Sequence, residues 1–172
     1  GKLKEINASV SVPLDVQAGN YFVKFAAFND YAYSEGHLQK VVPINISFDI
    51  EPTYSEYEVV HSDTLQQKIK ITNTGNLPIT INLTSEVVNG TRFAFFENYE
   101  NSTLISLGIG KSKEVTVYLI APRVYNYSIY ENKIVARNYT SQAGLISKES
   151  RIILKIHPFF VKIIEPTETN PL

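Results

Sequence analysis

The chain contains no cysteine, no methionine and no tryptophan. Without thiols there is neither a disulfide framework nor a thiolate metal site, so rigidity has to come from packing and hydrogen bonding. Charge of one sign is missing too. Sixteen Lys plus Arg stand against seventeen Asp plus Glu, for a formal net charge of −1 and a pI near 6.4. That balance supplies no basic stripe to follow a phosphate backbone and sets nucleic-acid binding aside. No run approaches the roughly 18 apolar residues of a membrane span, and no secretory signal stands at the start. A methionine-free chain starting at Gly1 fits a mature polypeptide whose leader was removed, and an engineered fragment would look the same. Loss of the oxidisable side chains suits a hot habitat, and a surface built on Ser, Thr and Asn keeps its polarity in acid.

What is abundant is the sequon. Asn-X-Ser/Thr occurs at Asn7, Asn45, Asn82, Asn89, Asn101, Asn126 and Asn138, never with Pro in the middle. The 14 Asn and 26 Ser plus Thr of the 172 residues would give about two by chance. Seven predicts N-linked glycans, with no cofactor expected, and places the chain outside the cell, at the cell surface. In Ile44-Asn45-Ile46-Ser47 and Ile81-Asn82-Leu83-Thr84 the alternation puts Asn toward solvent and the Ile and Leu side chains toward a core.

Period-two alternation runs through the whole chain and no window carries a helical stripe. Strands are predicted at Ile6–Leu14, Tyr21–Phe28, Leu38–Ile50, Tyr57–Val60, Leu65–Asn73, Leu77–Ser85, Thr91–Phe96, Leu104–Leu107, Lys113–Ile120, Tyr127–Asn138, Lys148–His157 and Phe159–Ile164. Turn chemistry separates them, as in Ala18-Gly19-Asn20, Thr74-Gly75-Asn76, Asn89-Gly90 and Gly108-Ile109-Gly110. Many short strands between such turns predict an all-β, antiparallel, immunoglobulin-like sandwich.

From about Glu51 to His157 the order of events resembles a complete immunoglobulin-like module of archaeal and bacterial surface proteins. Gln66–Ile71 followed by Thr72-Asn73-Thr74-Gly75-Asn76 is similar to the opening of such a module, and Glu114–Leu119 with Ala121-Pro122 to its close. The first fifty residues repeat that close in part: Val10–Leu14 parallels Val115–Leu119, Lys24, Ala27 and Asn29 parallel Lys133, Ala136 and Asn138, and Gly36 parallels Gly144, with drifting spacing. The division expected is therefore an extended segment 1–14, a partial sandwich 15–50, a full sandwich 51–158 and a tail 159–172. Three strands cannot cover a core alone. They join the later strands in one larger sandwich, or lack a preceding domain, or take a strand from another subunit.

The segment Leu3–Leu14 alternates, with Ile6, Ala8, Val10, Val12 and Leu14 on one face and Asn7, Ser9 and Ser11 on the other. That is the pattern of a donor strand, whose backbone bonds give affinity while alternate side chains fill pockets, and equally of an ordinary first strand paired within its own sheet. The extended, apolar Phe159–Ile164 is the other candidate donor. A short, cysteine-free, sequon-dense all-β chain with such an end resembles the subunits of archaeal thread filaments. The resemblance implies a glycosylated extracellular pilus subunit, joined head to tail to copies of itself in a homopolymer and serving adhesion through glycan or cell-surface contacts. The competing readings are a fragment of a larger S-layer or adhesin protein and a carbohydrate-binding module. The last rests on the tyrosine groups Tyr21, Tyr31, Tyr33 and Tyr125, Tyr127, Tyr130, Tyr139, since aromatic faces stack on sugars.

Catalytic chemistry has no local signature. His37, His61 and His157 lie in separate segments without metal-site spacing, and Glu51, Glu56, Glu58 and Asp63 lack the regular spacing of a calcium loop. Gly108-Ile109-Gly110-Lys111-Ser112 lacks the first half of a phosphate loop, and no Gly-x-Ser-x-Gly elbow is present. The expectation is a structural protein, not an enzyme, with no metal.

Overall fold

A computed structural model describes residues 7, 9–13, 16–28, 30–140 and 144–158. Eleven strands carry the described fold. They are β1 (Gly19–Phe28), β2 (Tyr33–Val42), β3 (Phe48–Glu51), β4 (Tyr54–Val60), β5 (Thr64–Asn73), β6 (Ile79–Asn89), β7 (Ala94–Phe95), β8 (Ser102–Leu107), β9 (Ser112–Ile120), β10 (Ser128–Thr140) and β11 (Gly144–His157). One 3-10 turn, Glu97–Tyr99, lies between β7 and β8. Among the described residues no helix is long and apolar enough to cross a membrane.

Nine of these strands form an immunoglobulin-like sandwich over residues 48–157. One sheet runs β4-β11-β10-β6-β8 and the other β3-β5-β9-β7. The alternation read from the sequence decides the faces. Ile69 and Ile71 of β5, Ile81 and Leu83 of β6, Val117 and Leu119 of β9, Ile134 and Ala136 of β10, and Ile152, Leu154 and Ile156 of β11 meet in one buried cluster. Each large side chain so buried contributes roughly 1.5–3 kcal/mol, which lets the sandwich hold without disulfides. Its entry strand is split between the sheets. β3 pairs antiparallel with β5, Phe48 opposite Asn73. After Pro52 the chain crosses over, and β4 pairs parallel with β11, Tyr54 opposite Arg151 and Val60 opposite His157.

Several strand assignments change, and Thr91–Phe96 shrinks to the two residues of β7. Leu38–Ile50 is not one strand: β2 ends at Val42, residues 43–47 are irregular, and β3 begins at Phe48. Ile44 is accordingly exposed, not turned toward a core. Ile6–Leu14 also fails as a strand of its own chain, because its described residues 7 and 9–13 lie in no strand; the remainder, and Phe159–Ile164, fall outside the described residues. The partial sandwich expected at 15–50 is a lone hairpin. β1 and β2 pair antiparallel from Gly19 opposite Val42 to Phe28 opposite Tyr33, and they form a two-stranded sheet that joins neither sheet of the sandwich. Among the described residues, then, the hairpin is not part of one larger sandwich.

Candidate functional site

The hairpin β1–β2 is the feature that simple folding does not explain. Directly opposed residues of an antiparallel pair share a face, so Tyr21, Val23, Phe25 and Ala27 lie on one side with Lys40, Leu38, Gly36 and Ser34. The other side carries Phe22, Lys24, Ala26 and Phe28 opposite Gln39, His37, Glu35 and Tyr33. Lys24 Nζ meets Glu35 Oε2 at 2.6 Å, and the Tyr33 hydroxyl donates to the same oxygen at 2.5 Å. The ammonium of Lys24, and then this hydroxyl, hold the Glu35 carboxyl below its ordinary value.

The first side is apolar and open to solvent. Phe25 and Leu38 are each more than half exposed, and with Ala27 and Gly36 they border a hollow of about 570 Å³. The Phe25 ring lies over Gly36, where an added Cβ would stand 2.4 Å from Cε2, so glycine is what lets the ring cover the partner strand. Farther along the same face, Val10, Val12 and Val16 approach Tyr21, Val23 and Leu38 around a second hollow of about 400 Å³. Val10 is still 58% exposed. An isolated two-stranded ribbon is marginal in water, and apolar patches of this kind on a sheet mark a place of contact.

The hairpin is not loosely hung from the sandwich. The β5–β6 loop grips the linker at 43–47: Asn76 Nδ2 donates to Pro43 O at 2.8 Å, the Asn45 amide donates to Asn76 Oδ1 at 2.7 Å, and the Asn76 amide donates to Asn45 O at 2.8 Å. The amides of Thr74 and Gly75 both donate to Ser47 O at 3.0 Å. A Cβ on Gly75 would stand 2.4 Å from Asn45 O and 2.8 Å from Ser47 N, so this contact requires glycine. Asn73 braces the loop from inside, its Nδ2 donating to Leu77 O at 2.8 Å and Gly108 O at 3.0 Å.

The sequons divide. Asn7, Asn45, Asn89, Asn101 and Asn126 are exposed, and Asn82 is half-buried on the outer face of β6. Asn138 is a correction. It is 2% exposed, on the inward face of β10 with Ile134 and Ala136, and its Nδ2 has no hydrogen-bond partner among the described residues. A side chain in that position offers no room for a glycan. Of the donor-strand residues, Val10 and Val12 are exposed, and Ile6, Ala8 and Leu14 lie outside the described residues.

The residues weighed for chemistry do not converge. Glu56 pairs with Lys155 and Glu58 with His157 on neighbouring strands, while Asp63 Oδ2 accepts the Val60 amide. His37 lies 3.9 Å from Glu35 on the distant hairpin, and the His61 amide donates to His157 O. Among the described residues no three His, Asp or Glu side chains gather where they could hold a metal ion. Tyr125 and Tyr127 are exposed, whereas the Tyr130 ring packs over Gly90 and the core, so these three do not make one platform.

No protein-family model matches the sequence, and no curated protein sequence is significantly similar to it. Solved structures do match over a portion of the chain. A PapD-like domain of human CEP192 is 8% identical with a TM-score of 0.49, over 66% of this chain and 87% of that one. The E. coli chaperone DraB is 10% identical with a TM-score of 0.49, over 68% of this chain and 57% of its own. A region of a family 123 glycoside hydrolase from Clostridium perfringens is 13% identical with a TM-score of 0.47, over 66% of this chain and 27% of its own. At this level the fold assignment rests on the sheets described above.

Proposed function

We propose that the chain is a non-catalytic immunoglobulin-like building block of an extracellular surface assembly, coated with N-linked glycans and joined to other such units by completion of β-sheets. One observation carries this reading: the apolar face of β1–β2 lies uncovered beside a sandwich whose own core is closed. A catalyst needs convergent polar groups in a pocket, and the described residues offer instead a dispersed set of surface ion pairs. The exposed sequons lie on both the linker and the sandwich, so glycans would coat the body. Glycopeptide mapping of protein from its natural source tests the surface location. Occupied Asn45, Asn89, Asn101 and Asn126 are expected, and a wholly unmodified polypeptide would remove that support.

A second reading, the donor-strand filament, is favoured by the segment around Val10 and Val12, which alternates in sequence yet lies in no strand among the described residues. In a pilus that segment would fill a groove of the next subunit. Deleting residues 1–14 should then abolish fibres seen by electron microscopy, and the peptide added in trans should restore them. Normal fibres from the truncated chain would end the donor role of this segment.

A further inference from the structure

The two hairpins of the molecule, β1–β2 and β10–β11, superpose in register and in chemistry. Shifting residues 1–29 forward by 109 positions aligns them with 110–138 without a gap and makes nine positions identical, among them Lys4/Lys113, Glu5/Glu114, Pro13/Pro122, Tyr21/Tyr130, Lys24/Lys133 and Ala27/Ala136. In the paired strand the shift is 114: Gly19 opposite Val42 corresponds to Ser128 opposite Ile156, and Lys24 opposite His37 to Lys133 opposite Arg151. The same diagonal ion pair crosses both ribbons, Lys24–Glu35 at 2.6 Å and Lys133–Glu149 at 3.2 Å. The facing pair Phe25 and Gly36, large over small, corresponds to Ile134 and Ser150. Beyond β2 the 114-residue shift carries Ile50-Glu51-Pro52-Thr53 onto Ile164-Glu165-Pro166-Thr167, four identities in a row at the point where the sandwich opens.

In β10–β11 the face carrying Ile134, Ala136, Ile152 and Leu154 is the floor of a closed core. The corresponding face of β1–β2 carries Phe25, Ala27, Leu38 and Lys40, and no strand among the described residues covers it. We infer that β1–β2 is the closing hairpin of a second sandwich, and that its apolar face is covered by strands patterned like β3 to β8, supplied by the same polypeptide directly before Gly1. The molecule is then a stretch of a tandem array with a period of about 110 residues. Residues 43–47 are the joint between two units. A neighbouring copy is the poorer source: its nine sandwich strands are already engaged in its own two sheets, whereas the covering layer must supply most of a sandwich. This inference names the partner required by the strand-completion reading and rests on it. Its test does not depend on glycans, so a protein lacking glycans but with a covered hairpin would sink the surface location alone.

The experiment compares amide hydrogen exchange in the 172-residue chain with that in the same chain extended by its own natural upstream sequence, as long as residues 48–109. Exchange at Phe25 and Leu38 should slow by about 100-fold or more in the longer chain, and Phe25→Glu should undo that slowing while Phe22→Glu, on the outer face, should not. The denatured, deglycosylated polypeptide from the natural source should exceed 19.4 kDa by at least one unit. A natural polypeptide beginning at Gly1, or upstream residues that leave hairpin exchange unchanged, overturns the inference. Protection that appears in the 172-residue chain and rises with its concentration would assign the face to a second copy and overturn it equally.

Discussion

Hairpins β1–β2 and β10–β11 have the same register and the same crossing ion pair, yet one is the floor of a core and the other is open to water. The difference separates what strand pairing accomplishes from what burial accomplishes. Backbone ladders and surface ion pairs contribute little net free energy, because water offers the same bonds to the separated strands. The hydrophobic cover is what stabilises a ribbon. Equivalent truncations in the two hairpins should therefore differ most. Ile134→Ala is expected to lower the stability of the sandwich by about 2–5 kcal/mol in urea denaturation, and Phe25→Ala, at the matching site, to change it by less than about 0.5 kcal/mol. Equal losses would mean that the sandwich draws stability from β1–β2 through contacts other than those described.

The joint between the two regions gives the next largest effect. Gly75→Val places a branched side chain against the carbonyl of Asn45 and the amide of Ser47. A cost of about 1–3 kcal/mol follows from overpacking. Faster exchange of the Asn45 and Asn76 amides should accompany it, and unchanged exchange there would show that the clamp is not what holds the linker. Asn76→Ala tests the same clamp by deletion, since it removes the side-chain bonds to the Pro43 carbonyl and the Asn45 amide, at about 0.5–1.5 kcal/mol for each.

Acid sharpens the comparison further. Glu86 of β6 meets Arg137 of β10 at 2.6 Å, and chiefly that guanidinium, with Lys133 adding to it, holds its carboxyl below the ordinary 4.5. A carboxyl depressed in the folded state adds stability above its unfolded value, and that contribution fades as pH falls through the folded one. Below about pH 4.5 the sandwich should thus lose stability in some measure through this pair, and Glu86→Gln should flatten that limb by no more than about 1 kcal/mol. Glu35 of β1–β2 is likewise held low, first by Lys24, but its partners among the described residues lie within the lone ribbon. Glu35→Gln should leave the acid limb of the sandwich unchanged, and a matching flattening would contradict the independence of the two regions.

Most of the sandwich is legible in the sequence because alternation is both the local preference of these residues and the geometry of the sheets. Gln67, Ile69, Ile71 and Asn73 alternate with Lys68, Lys70 and Thr72, and only one face could go inward. The same rule condemns Asn138: two residues on from Ala136 and four from Ile134, it has to share their inward face, whatever its sequon suggests. The break at 43–47 is hidden because Ile44 and Ile46 continue the alternation of β2, and what interrupts the strand is a loop 30 residues away. The start of β2 is masked because Ser34-Glu35-Gly36 has turn composition; the glycine there serves the Phe25 ring instead. The repeat is visible, but hydrophobicity alone sets its first segment four residues out, since Val10–Leu14 and Val115–Leu119 look alike by that measure. The hydrogen-bond register of the two hairpins sets the alignment that composition could not.

The crossing of the entry strand at Pro52 bears on how this unit would carry load. A chain pulled from its two ends draws β4 back toward its start and β11 forward toward its finish. These strands are parallel neighbours paired from Tyr54–Arg151 to Val60–His157. Tension therefore acts along the ladder, in shear, and its hydrogen bonds bear the force together; in a hairpin pulled open from its free ends they would unzip singly. A unit pulled from its two ends would thus resist stretching through both edge pairs of its split entry strand, β3–β5 and β4–β11.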